Sequence, residues 1–248
     1  MKNYDIVIIG GDAAGMSAAS QARRKNSKLS IIVLEKGQHV SYAACGLPYY
    51  ISDEVKASED LIAIDVSEFI TKRNIEIRMN TEVFAVDFSE KTIAARSAGE
   101  TMQLSYKTLV IATGARAVVP QIAGIDNSDV FFLRNLAQGV QIKEYLAKRQ
   151  PHSGIIIGGG FIGLEMAEAL RKKSIDVTII EKFSSVAMPL SPEIREIITR
   201  TLLDNRVKIH ASASIHKIEK SGNSLSVTTD GGIHAADFII ASAGILPA

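Results

Sequence analysis

The sequence predicts an α/β chain in which two βαβ units follow one another, each built on a parallel sheet and each carrying a small antiparallel β ribbon. Three observations predict it. The chain is written twice in the same order, each copy breaks at glycines between a β-branched run and a helix-like segment, and each then returns to a second strand that ends in an acid.

The first copy opens with Asp5 to Gly15 (DIVIIGGDAAG) and the second with Gly154 to Gly163 (GIIIGGGFIG). Short runs of isoleucine and valine suit parallel strands buried on both faces. The segments after the glycines predict helices over Ala14 to Lys25 and Ile162 to Lys173. The second strands end at Glu35 (IIVLE) and Glu181 (VTIIE), 25 residues beyond Gly10 and 23 beyond Gly158. That spacing fits the acid of a dinucleotide-binding βαβ unit, about 20 residues on from the loop. A third echo is Thr108 to Gly114 (TLVIATG) against Asp237 to Gly244 (DFIIASAG). Together the matches predict two Rossmann-like domains, residues 1–114 and 115–248. Alternating stretches at Glu76 to Val86 and Leu225 to Gly232 predict the antiparallel ribbons. The turn-rich stretch from Ala115 to Asp126 predicts the crossing between domains, and Ser191-Pro192-Glu193 a helix start.

Composition narrows the class of partner. With 46% hydrophobic and 22% charged residues, 248 residues have material for packed cores. Lys+Arg 28 against Asp+Glu 27 leaves a formal charge of +1, which points to no nucleic acid. The N-terminus runs directly into a strand, with no apolar core of a secretory signal, and no apolar run could span a bilayer. A single cysteine excludes an internal disulfide framework and a CxxC pair. These features predict a cytoplasmic protein with no membrane partner and no metal.

The two glycine loops differ in completeness. In the second, Gly158 makes the tight turn, Gly160 admits a pyrophosphate, and Gly163 lets the helix approach its strand. Free N–H groups and the partial positive charge of the helix N-terminus would hold the phosphates. Glu181 would accept from a ribose 2′-hydroxyl and repel a 2′-phosphate, favouring NADH, while the adjacent Lys182 keeps NADPH possible. In the first loop Asp12 stands where the second glycine belongs, so that loop alone also fits a turn without a ligand. Its strand, helix, acid and the downstream Ala112-Thr113-Gly114 favour a nucleotide.

Cys45 lies in Ser41 to Tyr50 (SYAACGLPYY), just ahead of Pro48. Proline fits the first turn of a helix, so the sulfur would sit near a helix N-terminus, which favours a nucleophilic thiolate. A buried cysteine acting as a small hydrophobe is the competing reading of these residues.

The order GGxAAG, S-[FY]-x-x-C-G-x-P-Y, ATG, GGGFIGLE and a final Ala-Gly-Ile-Leu-Pro resembles the single-cysteine branch of the pyridine nucleotide-disulfide oxidoreductases. Within it the look is that of coenzyme A disulfide reductases, with NADH oxidases, peroxidases and persulfide reductases behind. The resemblance implies a flavoprotein enzyme in which Cys45 is catalytic and residues 1–114 form the first segment of an FAD domain. FAD would lie on Gly10, Ala13, Ala14, Gly15, Glu35, Lys36, Ala112, Thr113 and Gly114, with Arg134 near the flavin. NADH would use Gly158, Gly160, Phe161, Ile162, Glu165, Glu181 and Gly244, Phe161 being the aromatic that covers the flavin. Coenzyme A would meet Gln21, Arg24, Ser41, Lys72 and Arg73. Where such reductases often carry asparagine before the cysteine, this chain has Ala44. The resemblance also implies a homodimer, and a second FAD segment and dimerisation domain after residue 248.

The implied chemistry is reduction of a small disulfide, coenzyme A disulfide foremost, by NADH through FAD and Cys45. Rival expectations are oxygen or peroxide reduction through a Cys45 sulfenic acid, polysulfide or persulfide reduction, and a nucleotide-binding fragment without catalysis.

Overall fold

The computed structural model describes residues 1–248 as two compact units. The first comprises Met1–Ala43, Glu59–Gly114 and Pro247–Ala248, and the second Ala44–Ser58 and Ala115–Leu246. The stretch Ala44–Ser58 bears Cys45, and it packs with the second unit although it is threaded through the sequence of the first.

In the first unit β1 (Lys2–Ile9) leads through the glycine loop into α1 (Ala13–Lys25) and returns as β2 (Ile31–Leu34). All four residues of β2 are buried, as the β-branched run predicts. Helix α1 turns the small residues Gly15, Ala19 and Ser20, with Met16, toward the sheet. Helix α2 (Leu47–Ile51) belongs to the second unit, after which α3 (Val66–Thr71), β3 (Glu76–Arg78), β4 (Thr81–Asp87), β5 (Thr92–Ser97) and β6 (Glu100–Ile111) complete the first. The six strands form one sheet in the order β3-β2-β1-β6-β5-β4, the first four parallel and the last two antiparallel. Strand β6 is 12 residues long and pairs over part of its length with both β1 and β5. The ribbon is therefore continuous with the parallel sheet.

The stretch Glu76 to Val86 divides in two. Its first three residues form the outer parallel strand β3, and Asn80, in the left-handed region at φ 51°, turns the chain into the ribbon. Glu76 is held against β1 by Lys2 Nζ at 2.7 Å and the Tyr4 hydroxyl at 2.6 Å. Alternation is the same in an edge strand and a ribbon strand, so sequence could not separate them.

The second unit begins with β7 (Ala115–Ala117), β8 (Val130–Phe132) and α4 (Leu136–Arg149). Its βαβ repeat is β9 (Ser153–Ile157), α5 (Phe161–Lys172) and β10 (Asp176–Ile180), followed by α6 (Pro192–Asp204) and β11 (Lys208–His210). Three antiparallel strands come next, β12 (Ile215–Ser221), β13 (Ser224–Thr229) and β14 (Gly232–Ala236), before β15 (Phe238–Ala241) and β16 (Ile245–Pro247). The main sheet runs β11-β10-β9-β15-β8, parallel throughout. Leu225 and Val227 of the three-stranded sheet share one core with Ile155, Ile157 and Ile239 of the main sheet. Ile122 and Ile125 pack on the same core, so the crossing segment is docked on this unit. Gly124, at φ 83°, passes so close that a Cβ would stand 2.0 Å from the Ile218 carbonyl oxygen.

Helix α6 starts at Ser191-Pro192 as its residues predict, although the Ser191 hydroxyl makes no capping bond to the backbone. No helix is long and apolar enough to cross a membrane.

Candidate functional site

Each unit places a glycine loop at the C-terminal ends of its central strands, and the two loops are built alike. In the first, Gly10 N–H donates to the Leu34 carbonyl at 2.8 Å, and Ala112 N–H to the Ile9 carbonyl at 2.8 Å, drawing β1, β2 and β6 together. Gly10 has φ 104°, and a Cβ there would lie 2.2 Å from the Ala112 carbonyl oxygen. A Cβ on Gly15 would lie 1.9 Å from the Gly10 oxygen, so only glycine lets α1 start against its strand. Gly10, Ala13, Ala14, Gly15, Glu35 and Ala112 are thus gathered at one loop. Lys36 is exposed and paired with Glu82 at 2.7 Å, and the Thr113 hydroxyl donates to the Ala248 carbonyl at 3.0 Å.

The second loop repeats this. Gly158, at φ 101°, donates to the Ile180 carbonyl at 2.9 Å, and a Cβ on Gly163 would lie 2.1 Å from the Gly158 oxygen. Ser242 adds a support that sequence reading missed: its hydroxyl lies 3.0 Å from both the Ile157 and Gly158 carbonyl oxygens. Its signal was the third echo, where Ser242 aligns with Thr113. Gly160 differs from its neighbours, because a Cβ there would meet nothing within 4 Å. The face beside it is open, as a pyrophosphate resting on the N-terminus of α5 requires.

The acids at the ends of the second strands are engaged in the same way. Glu35 accepts from Gly11 N–H at 2.6 Å and Gly37 N–H at 2.6 Å; Glu181 accepts from Gly159 N–H at 2.5 Å and Phe183 N–H at 2.8 Å. Each carboxylate is fixed beside its loop by two backbone donors, and its remaining lone pairs can still accept from ribose hydroxyls. The two units stay alike a few residues past the acids. Val40 and Val186 pack on Gly11 and Gly159, and Ser41 and Ala187, both left-handed at φ 52° and 55°, donate to the Gly11 and Gly159 carbonyls.

Gly160→Ala separates binding from folding. With open space at the Cβ, the melting temperature should stay within a few degrees of the parent, since alanine at this cap costs little more than a few tenths to 1 kcal/mol. If the loop holds a pyrophosphate as its motif predicts, the methyl would intrude on it, and calorimetric titration with NADH should show affinity at least about tenfold weaker, roughly 1.4 kcal/mol. Unchanged affinity would remove this loop from the nucleotide site.

Phe161, the first residue of α5, is 56% exposed. Glu165, one turn on, is exposed overall, yet partial burial of its carboxyl, with Glu168 adding to it, holds it above the usual carboxylate range. Gly244, at φ 121°, accepts from Val118 N–H at 2.9 Å. Arg134 lies between β8 and α4, and its Nε is buried without a hydrogen-bond partner.

Cys45 is exposed, in a 3₁₀ turn of Ala44–Gly46 that runs straight into α2. Leu47 and Pro48 are buried, and Leu47 Cδ2 sits 2.8 Å from where a Cβ on Gly139 of α4 would stand. The small-hydrophobe reading of Cys45 does not hold, since it is the neighbours of the sulfur that are buried.

The polar residues assigned to coenzyme A are unequally placed. Gln21 and Arg24 are exposed on α1. Arg73 donates to Ser20 Oγ at 2.9 Å and Glu68 at 2.7 Å, and Lys72 reaches Glu68 at 3.4 Å. Arg23, not among the assigned residues, holds the carbonyls of Arg73 and Asn74 at 2.8 and 2.6 Å. No group of three His, Cys, Asp or Glu side chains is arranged to hold a metal ion.

Two glycine loops, each with a strand-end acid locked to it, define a tandem dinucleotide-binding fold. The chain belongs to the pyridine nucleotide-disulphide oxidoreductases, whose family model matches residues 4–248. It is 32% identical to an NADH oxidase of Methanocaldococcus jannaschii over 97% of this chain and 54% of that one. To a CoA-dependent NAD(P)H sulfur oxidoreductase of Pyrococcus abyssi it is 35% identical, over 98% of this chain and 54% of the relative. An NAD-dependent persulfide reductase from A. fulgidus superposes with a TM-score of 0.93 at 36% identity, covering 99% of this chain and 46% of that structure. The chain spans about half the length of the curated relatives it matches.

Proposed function

We propose that the protein passes reducing equivalents from NADH, by way of FAD, to the S–S bond of a small-molecule disulfide through Cys45, with coenzyme A disulfide as the first substrate. The observation that carries this reading is the chain's only cysteine, exposed, in the compact unit that also holds the Gly158–Gly163 loop. The first loop, with Glu35, Lys36 and Ala112 to Gly114, would hold FAD. The second loop, with Glu165, Glu181 and Gly244, would hold NADH. Bound FAD would supply the two-electron transfer between nicotinamide and sulfur.

The protein's own part is nucleophilic. The Cys45 thiolate attacks one sulfur of the disulfide, forming a mixed disulfide and expelling the other sulfur as a thiolate. Two electrons and a proton then break the mixed disulfide, returning the Cys45 thiolate and releasing the second thiol. With Arg73 and Lys72 both drawn to Glu68, Arg24 is the assigned cation free of a protein partner to meet a coenzyme A phosphate. The proposal extends to a cytoplasmic homodimer and to NADH over NADPH, Glu181 disfavouring a 2′-phosphate.

Persulfide or polysulfide reduction is a second reading of the same site. Ala44, in place of an asparagine before the cysteine, and the sulfur and persulfide reductases among the relatives favour it. Purified protein should show a flavin spectrum that bleaches with anaerobic NADH. NADH consumption with coenzyme A disulfide should exceed that with polysulfide, peroxide or oxygen. A colourless protein indifferent to NADH would leave a nucleotide-binding fragment without catalysis, and faster turnover of polysulfide or peroxide would replace the substrate.

A further inference from the structure

The stretch that carries Cys45 has little structure of its own. Ala44–Ser58 contains a 3₁₀ turn and a helix of five residues, far too short to be stable alone. Buried Leu47, Pro48, Tyr50 and Ile51 hold its first half to α4 and α5. Its second half is held by charge.

After α2 the chain turns at Asp53, which stands at φ 69°. This is a conformation that glycine adopts freely and that Asp and Asn tolerate better than other side chains. The carboxylate accounts for the choice of residue. Asp53 Oδ1 accepts from Lys143 of α4 at 3.0 Å, and Oδ2 from Lys173 at the end of α5. The next residue, Glu54, accepts from Lys172 of α5 at 2.8 Å. Lys143 is the most covered of the three lysines, its side chain 18% exposed. Besides Asp53 it donates to the carbonyls of Lys56 at 3.1 Å and Val55 at 3.4 Å, and its ammonium lies 3.9 Å from the Tyr50 ring centroid. All its bonding capacity is spent on residues 50–56. Isolated surface pairs contribute little, but here three lysines from two helices converge on two adjacent carboxylates. One of those helices, α5, starts at the glycine loop.

We propose that Asp53, Lys143 and Lys173 form a positioning latch that fixes the Cys45 segment on α4 and α5 and so sets the reactivity of the cysteine. The inference rests on the redox reading of Cys45, yet alkylation tests it without any turnover, so failure of one is distinguishable from failure of the other.

The test uses three variants in the full chain. Asp53→Asn removes the charge and keeps a side chain suited to the left-handed turn. Asp53→Gly suits the turn even better and also lacks the carboxylate. Lys143→Met keeps an apolar stem over Tyr50. For each, the second-order rate of Cys45 alkylation by iodoacetamide is followed across the thiol titration range at low and high salt, beside the melting temperature and hydrogen exchange of residues 47–57. Each variant should change the rate, or the midpoint of its pH profile, by at least about threefold, and Asp53→Asn/Lys143→Met should do no more than the single changes. High salt should shift the parent and shift Asp53→Asn less, and a parent whose Cys45 profile ignores salt would overturn the proposal even if no variant folds. Faster exchange or lower melting temperature with an unmoved Cys45 profile would mark a merely structural role and overturn the proposal. So would additive effects, or Asp53→Gly behaving as the parent.

Discussion

Cys45→Ser should retain flavin and NADH binding while losing disulfide turnover by roughly 10³-fold or more, the scale on which removal of a catalytic nucleophile acts. The substitution is nearly isosteric and the side chain is exposed, so the melting temperature should not change beyond about 1–2 °C. Serine cannot form the mixed disulfide, and an oxygen nucleophile gives no S–S bond for two electrons to break. In the proposed order, bleaching of the flavin by NADH comes before that step, so it should survive in the variant. The measurement is a pair of traces, anaerobic bleaching by NADH and steady-state NADH consumption with coenzyme A disulfide. Turnover within tenfold of the parent would place the chemistry elsewhere; loss of bleaching as well would mean the cysteine supports the flavin site rather than the disulfide.

Gly163→Ala should act on folding. A methyl there would stand 2.1 Å from the Gly158 carbonyl oxygen and 2.9 Å from Ser242 Oγ. Ser242 can rotate, but the carbonyl is fixed by the turn that leaves β9, so α5 has to move off its strand. Forcing a methyl into such a contact costs about 3 kcal/mol or more, which for a chain of this size lowers the melting temperature by roughly 6–12 °C. Thermal melts by circular dichroism check this directly. A variant as stable as the parent would show that α5 and β9 do not need the close approach. Gly160→Ala, two residues from the tight turn and facing open space, is its control: the same chemical change, with its effect on binding instead of stability.

The comparison of the two loops shows how much of the site was legible in the chain. Gly158 and Gly163 were assigned from the complete motif, Gly10 and Gly15 from the repeat and the family resemblance together, and each stands where a Cβ would meet a carbonyl oxygen. Glu35 and Glu181 were assigned as strand-end acids, and both bind their own loops. Such features are local: a turn, a helix start and the next strand lie within one βαβ unit, so residue type and spacing express them. Ser242 escaped because its role comes from β15 lying beside β9, a pairing of distant segments.

By itself, the sequence determined the duplicated βαβ architecture, the glycine loops, the acids that face them and the single cysteine as the candidate for sulfur chemistry. Only the tertiary structure decided that Ala44–Ser58 packs with the second unit, that Glu76–Arg78 is a parallel edge strand, and that Arg73 is occupied by Glu68 and Ser20. The physical reason is range. Backbone conformation and hydrophobic period are set by neighbours in the chain, whereas the partner of a charge or of a short helix is set by which distant surface it meets, and Asp53 meets two lysines 90 and 120 residues further along.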